Sequence, residues 1–323
     1  EPYRRQRQMC IRDRNIIMKS LKEMQKAALD ATKPGTVNPV EMLRLEALTS
    51  FEKYTKLMFK AQYKRSFIVA EHHKKIFEAL QDVVDGKITR LIINIAPRYS
   101  KTEVVIKSFI SWAFALNPRC RFLHLSYSDI LVNDNSETIR NIMQEELYKT
   151  LFPSSTLASE KGSAKRWKTK AGGELYAVST QGQVTGFGAG NVDADPEIDK
   201  MDGGNDVFVF DDHTNEMLSM IGAKSNVFQG AIMIDDPIKP EDAASDLVRE
   251  RINQRFENTI RNRVNSRRTP IIIIMQRLHE HDLCGYLQEI EPDTWTVLSL
   301  PVIQTNPETG EEYALWPMKH NLE

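Results

Sequence analysis

Short apolar runs alternate with amphipathic stretches along most of this chain, and the alternation predicts its architecture. From His72 the apolar positions Ile76, Leu80 and Val83 recur at helical spacing up to Gly86, a natural stop, and Leu91 to Ile95 follows as a first core strand. Val105, Phe109 and Trp112 place one apolar stripe on the next helix, which ends near Asn117-Pro118 before a second strand, Arg121 to Ser126. A helix over about Asp129 to Tyr148 leads through Phe152-Pro153 to an irregular basic segment and a short strand at Leu175 to Val178. Further on come a strand at Ala231 to Ile234, a long helix near Asp242 to Val264, a strand at Ile271 to Met275, a helix from Asp282 and a strand at Trp295 to Leu298.

Strands and helices that alternate in this way predict an α/β fold: a doubly wound, mostly parallel sheet covered by helices on both faces. Ahead of it, Ile16 to Ala31 and Val40 to Gln62 flank the Pro34-Gly35 breaker as polar, helix-favouring segments without a chemical motif. The expected organisation is an unstructured or non-native lead-in over 1–14, a helical lead-in over 15–65, the α/β domain over 66–301 and a linker over 302–323. Glu1 to Arg14 carries five arginines and no periodic face, and its run Gln8 to Arg14 resembles a translated sequencing-adapter remnant. Gly182, Gly186, Gly188 and Gly190 predict a mobile loop, followed by an acidic surface insertion over 191–229.

Charge and cysteine usage narrow the function. Lys and Arg total 43 against 44 Asp and Glu, for a net charge of -1, which excludes a protein that coats nucleic acid through bulk positive charge and leaves any such contact local. Local basic patches exist at Lys161, Lys165, Arg166, Lys168 and Lys170 around Trp167, and over Arg249 to Arg268. Cys10, Cys120 and Cys284 are odd in number and far apart, which fits neither a disulfide framework nor a zinc site built on cysteine pairs and points to a reducing cytoplasm. No apolar run approaches the roughly 20 residues of a membrane span, so no membrane partner is expected.

The strand Leu91 to Ile95 runs directly into Ala96, Pro97, Arg98, Tyr99, Ser100, Lys101 and Thr102. A phosphate loop needs backbone N–H groups facing the β-phosphate, a Lys for the β/γ-phosphate oxygens and a Ser or Thr hydroxyl for Mg²⁺; Lys101 and Thr102 supply the last two. Ile95 and Ser100 occupy the positions where the usual pattern has glycine, and a plain strand, turn and helix capped by Ser100 would share this sequence. A nucleotide hydrolase also needs a carboxylate at a neighbouring strand tip for the metal, often with a second acid to orient water. Ile232 to Ile234 followed by Asp235, Asp236 and Pro237 fits, with Asp235 for the metal and Asp236 for the water. Val207 to Phe210 followed by Asp211 and Asp212 is a rival; Pro237, which ends its strand cleanly before a strong helix, favours Asp235. Gln276 stands at the tip of the Ile271 to Met275 strand, where a polar residue can sense the γ-phosphate, while His279 and His281 lack the third ligand of a transition-metal site.

In this order the motifs resemble the large terminase subunit of tailed bacteriophages, the ATP-driven motor that moves double-stranded DNA into an empty capsid. The likeness spans about His72 to Pro301: Leu91 to Glu103 looks like a divergent Walker A, Gly182 to Gly190 like the family's Gly-rich loop, Ala231 to Ala243 like Walker B and Ile271 to Gly285 like its coupling motif. The resemblance implies a P-loop NTPase sheet of the ASCE type and hydrolysis of ATP with Mg²⁺. It casts Arg98 as a cis arginine on the γ-phosphate, Arg261 or Arg263 as an arginine acting across a subunit boundary, and Gln276 as the link between hydrolysis and movement. Implied partners are double-stranded DNA, the portal protein, the small terminase subunit and further copies in a ring, in the host cytoplasm and transiently at the procapsid. Ser100 in place of glycine predicts weak nucleotide affinity. The family continues into an RNase H-like nuclease domain; this sequence stops at Glu323, so cutting activity is not expected in it. The alternatives are a catalytically silent prophage remnant and another nucleic-acid-dependent P-loop motor such as a helicase.

Overall fold

A computed structural model describes residues 38–159, 163–184, 186–190, 228–320 and 322. Among these the elements follow the order helix α1 (Pro39–Thr49), α2 (Phe51–Tyr63), α3 (Glu71–Val84), strand β1 (Arg90–Ile95), a π-helical turn (Thr102–Ser108) continuing as α4 (Phe109–Leu116), β2 (Arg121–Ser126), α5 (Asp129–Gln144), α6 (Glu146–Leu151), β3 (Arg166–Lys168) and β4 (Glu174–Ser179). Then come β5 (Ile232–Asp235), α7 (Asp246–Arg255), β6 (Ile271–Met275), α8 (Leu283–Ile290), β7 (Thr296–Leu300), β8 (Ile303–Thr305) and β9 (Glu312–Ala314).

The seven-stranded sheet has the order β3-β4-β2-β5-β6-β1-β7, with every pairing parallel except the edge pair β3-β4. One strand, β6, separates β1 from β5, which is the ASCE arrangement of a P-loop NTPase sheet. The chain leaves β1 toward β2 on one side and returns last as β7 on the other, so β1 marks the point where the winding reverses. Ligands of open α/β sheets bind outside the carboxyl ends of the strands at such a point.

The strands are apolar on both faces because helices cover both. Ile93, Ile95, Phe122, Leu175 and Met233 face one core with α1 to α5, and Ile92, Leu123, Val178, Ile234 and Ile273 face the other with α7 and α8. Helix α4 is buried along Phe109 to Ala115, which explains its nearly all-apolar sequence. Its few polar atoms are satisfied: Trp112 Nε1 donates to the Ala47 carbonyl at 2.8 Å, and Tyr54 Oη donates to Ser111 Oγ at 2.8 Å.

Several local readings change. The single helix expected over Val40 to Gln62 is two helices, because Ser50 is extended (φ -138°) and its hydroxyl accepts the Lys53 N–H, capping α2. Phe51 and Tyr54 of α2 are buried in the larger core. The long helix expected over Asp242 to Val264 begins at Asp246 and passes into a π-turn over Phe256–Ile260 and a 3₁₀ turn over Arg261–Arg263. Of the loop predicted mobile from its glycines, 186–190 is pinned: Ala189 N–H donates to the Arg263 carbonyl at 2.7 Å and Gly190 N–H to the Arg121 carbonyl at 3.0 Å. A Cβ at Gly188 would lie 1.9 Å from Asn265 Oδ1, so any larger residue there would displace the Asn265 amide from the Gly190 carbonyl it binds at 2.8 Å. The span read as a linker carries the β8-β9 hairpin and a turn over Trp316 to His320. Among the described residues no helix is long and apolar enough to cross a membrane. The first lead-in helix and the 191–227 part of the insertion, with Asp211 and Asp212, lie outside the described residues.

Candidate nucleotide site

Strand β1 ends at Ile95, and the next residues turn over the carboxyl end of the sheet. Arg98 (φ 67°) and Ser100 (φ 60°) both adopt the left-handed conformation without being glycine. Each such residue costs of order 1 kcal/mol, and clusters of them mark functional sites. Ser100 therefore reaches the backbone shape that glycine would give for less. Lys101, which follows, is right-handed (φ -54°), and a left-handed residue followed by a right-handed one is the backbone pattern of a nest, in which successive N–H groups turn toward one concavity. The helix then starts at Thr102, adding the positive end of its dipole to the same spot. Tyr99 between the two strained residues is 2% exposed and anchors the turn, its ring 5.5 Å from that of His72.

The second half arrives from β5. Register places Asp235 beside Ile274 of β6 and Ser126 of β2, so the strand delivers its carboxylate to the same end of the sheet as the β1 turn. Asp236 follows in the left-handed region (φ 45°), held there by its N–H on the Ile274 carbonyl (2.9 Å) and its carbonyl on the Tyr127 N–H (2.9 Å). Pro237 then stops the ladder.

These halves meet. Lys101 Nζ donates to Asp236 Oδ2 and stands 3.9 Å from Asp235 Oδ1, and Thr102 Oγ1 donates to Asp235 Oδ2 at 2.7 Å. Lys101 and Asp235 are buried, and Asp236 is partly exposed. Burial pushes the Asp235 carboxyl up to about 6, with Lys101 opposing the rise and Asp236 adding to it. Asp235 Oδ1 is buried without a hydrogen-bond partner. An orphaned carboxylate oxygen beside a Thr hydroxyl suits a hard divalent cation, so the donor set fits Mg²⁺.

Gln276 follows directly on β6, the strand lying between β1 and β5, and is half-buried. Arg98 exposes its side chain, and its carbonyl accepts Lys319 Nζ. Arg261 is engaged with Glu257 at 2.5 Å and Glu291 at 2.8 Å, and Arg263 Nε donates to the Thr259 carbonyl at 3.3 Å. Arg249 is buried on the Ala243 carbonyl and Asp246, so the arginine-rich stretch is largely structural, with Arg251, Arg267 and Arg268 exposed. In the other basic patch Trp167 is core, its Nε1 donating to Ser136 Oγ at 2.9 Å, and Arg166 pairs with the buried Glu174 at 2.5 Å. Lys165, Lys168 and Lys170 remain exposed there, and Lys161 lies outside the described residues. His279 and His281 are at the surface end of the α8 cap, and the described residues contain no group of three metal-ligating side chains. Two cavities, of about 440 and 380 Å³, share Thr180, Gln181, Pro237, Val248 and Ile252, and neither is lined by Lys101, Asp235 or Asp236.

Sequence reasoning missed the residues that hold the turn from outside: His72, Trp316, Lys319 and His320. Nothing in their spacing marks them, since Lys319 is 221 positions from the carbonyl it binds.

No protein-family model and no curated protein matches the sequence. Among solved structures, the crystal structure of the HK97 bacteriophage large terminase is similar with a TM-score of 0.43 and 12% identity, over 76% of this chain and 41% of that one, so the chain spans about two fifths of that protein's length.

Proposed function

We propose that this chain is the ATP-hydrolysing motor domain of a phage terminase large subunit, coupling Mg-ATP hydrolysis to movement of double-stranded DNA into a procapsid. The observation that carries the hydrolase reading is the meeting of Lys101 and Thr102, from one strand, with Asp235 and Asp236, from a strand two places away. Motor and substrate come from the ordered motifs from Leu91 to Gly285.

In this reading the nest over Ser100 and Lys101 binds the β-phosphate, and the Lys101 ammonium binds the β/γ-phosphate oxygens. Thr102 and Asp235 would hold Mg²⁺, which would supply positive charge against the negative charge that develops on the phosphate during transfer. Asp236 orients and polarises the attacking water once Lys101 has moved from it to phosphate. Arg98 supplies positive charge to the γ-phosphate, and Gln276, at the tip of the strand between the two halves, registers its loss. Double-stranded DNA, the portal, the small terminase subunit and a ring of further copies are the proposed partners, at the procapsid in the host cytoplasm.

The test is release of phosphate from ATP with Mg²⁺ by the purified protein, with and without double-stranded DNA. Turnover that double-stranded DNA stimulates and that Lys101→Ala abolishes supports the proposal. Turnover unchanged in Lys101→Ala removes the site, and absence of nucleotide binding and turnover in the unaltered protein removes the motor.

A further inference from the structure

The phosphate turn is held by a second, remote part of the chain. Residues Leu315 to His320 come back over it after the β8-β9 hairpin, secured by the Leu315 N–H on the Val302 carbonyl at 2.8 Å and the Lys319 N–H on the Trp316 carbonyl at 2.9 Å. The Lys319 ammonium lies 5.0 Å from the Tyr99 ring centroid and 5.2 Å from that of Trp316, and donates to the carbonyl of Arg98. Around it the rings of Tyr99 and His320 are 5.8 Å apart, those of Tyr99 and Trp316 6.0 Å, and those of His72 and Trp316 5.3 Å. The cation is thus held by two aromatic faces and one carbonyl, a set that fixes direction as well as charge.

That carbonyl belongs to one of the two strained residues of the turn. A left-handed Arg98 is unfavourable on its own and persists only if its surroundings hold it. We infer that Lys319 is a positioning residue for the phosphate turn: by binding the Arg98 carbonyl it fixes the left-handed backbone that aims the Arg98 side chain, and Leu315 to His320 acts as a strap whose attachment sets the competence of the site. The role of Arg98 toward a γ-phosphate rests on the function proposed above; the hold on the backbone does not.

Two measurements test this separately. The first needs no nucleotide: trypsin cleavage of the Arg98–Tyr99 bond, followed by mass spectrometry of the native full chain. Losing one charge-assisted hydrogen bond raises the population of the opened turn, and with it cleavage, about tenfold in Lys319→Met, with the melting temperature of the whole protein nearly unchanged. Lys319→Arg keeps a donor and restores protection. Equal cleavage in the unaltered protein and in Lys319→Met overturns the strap; should Lys319→Met fail to fold, Trp316→Phe, which keeps an aromatic face, is read the same way with a smaller rise. The second is the ratio of affinities for a non-hydrolysable ATP analogue and ADP. Lys319→Met lowers it about tenfold, and adding Arg98→Ala lowers it no further, because both act through one side chain. An unchanged ratio, or additive losses, overturns the link to Arg98. An unaltered protein that binds neither nucleotide overturns that link together with the motor reading, and the cleavage result still decides the strap.

Discussion

Replacing Lys101 with Met keeps the aliphatic stem and removes the charge from the centre of the candidate site. Lys101 is 7% exposed, is bonded to Asp236 and stands 3.9 Å from Asp235 Oδ1. Without it, neighbouring carboxylates share that space with only the Thr102 hydroxyl as donor to Asp235. Burial already pushes Asp235 from 3.8 up to about 6 against the pull of Lys101, so in the variant it climbs further. A folded-state value above the unfolded one means that the native protein binds the proton more tightly, and stability falls as pH rises through that window. Near pH 5 both proteins carry Asp235 mostly protonated, so the difference between them there is only the lost ion pair to Asp236. Near pH 8 the variant is penalised by a further amount of about 1.4 kcal/mol for each pH unit that its Asp235 has risen above about 6. Urea unfolding at the two pH values, without nucleotide or Mg²⁺, measures this directly. Equal losses at both would show that Lys101 does not hold the Asp235 carboxyl down, and no loss near pH 8 would show that its ammonium does not face the carboxylates.

Two further outcomes are expected. Thr102→Val preserves shape but strips Asp235 Oδ2 of its 2.7 Å hydrogen bond, so Mg²⁺-dependent nucleotide affinity, measured by calorimetry, drops about tenfold while affinity without Mg²⁺ changes little; equal losses would place Thr102 on the nucleotide rather than the metal. His124 on β2 is fully buried between the Met233 carbonyl and Asn135 Nδ2, each at 3.3 Å, and burial lowers it to about 4. The unfolded chain binds its proton below 6.5 and the folded one does not, so stability is lost as pH falls from 6.5 toward 4, by about 3 kcal/mol from this group. Unfolding free energies across that range fall less steeply in His124→Gln, and an unchanged slope would remove His124 as the cause.

The periodicity of the chain determined the fold class by itself. Leu91 to Ile95 and Ile271 to Met275 are short and almost wholly apolar, as strands covered on both faces are, and their spacing leaves room for the crossing helices. The residues that meet in the candidate site were legible for a related reason. Lys101 and Thr102 end one apolar run and Asp235 and Asp236 end another, and a parallel sheet brings the carboxyl ends of its strands to one edge.

Sequence did not contain the order of the strands, and with it the fact that β6 separates the two halves of the site. That follows from how the helices pack, a sum of contacts between distant residues. Nor did it reveal the ion pair that closes the site, the left-handed backbone at Arg98, Ser100 and Asp236, or the hold of Lys319 on the turn. A non-glycine residue gives no local sign of positive φ, because the strain is imposed from outside: on Asp236 by hydrogen bonds from neighbouring strands, and on Arg98 by a lysine near the far end of the chain. Basic residues were ambiguous for the same reason. Arg249 and Lys165 look alike in composition, and only packing decides that the first is buried on a carbonyl and the second faces water.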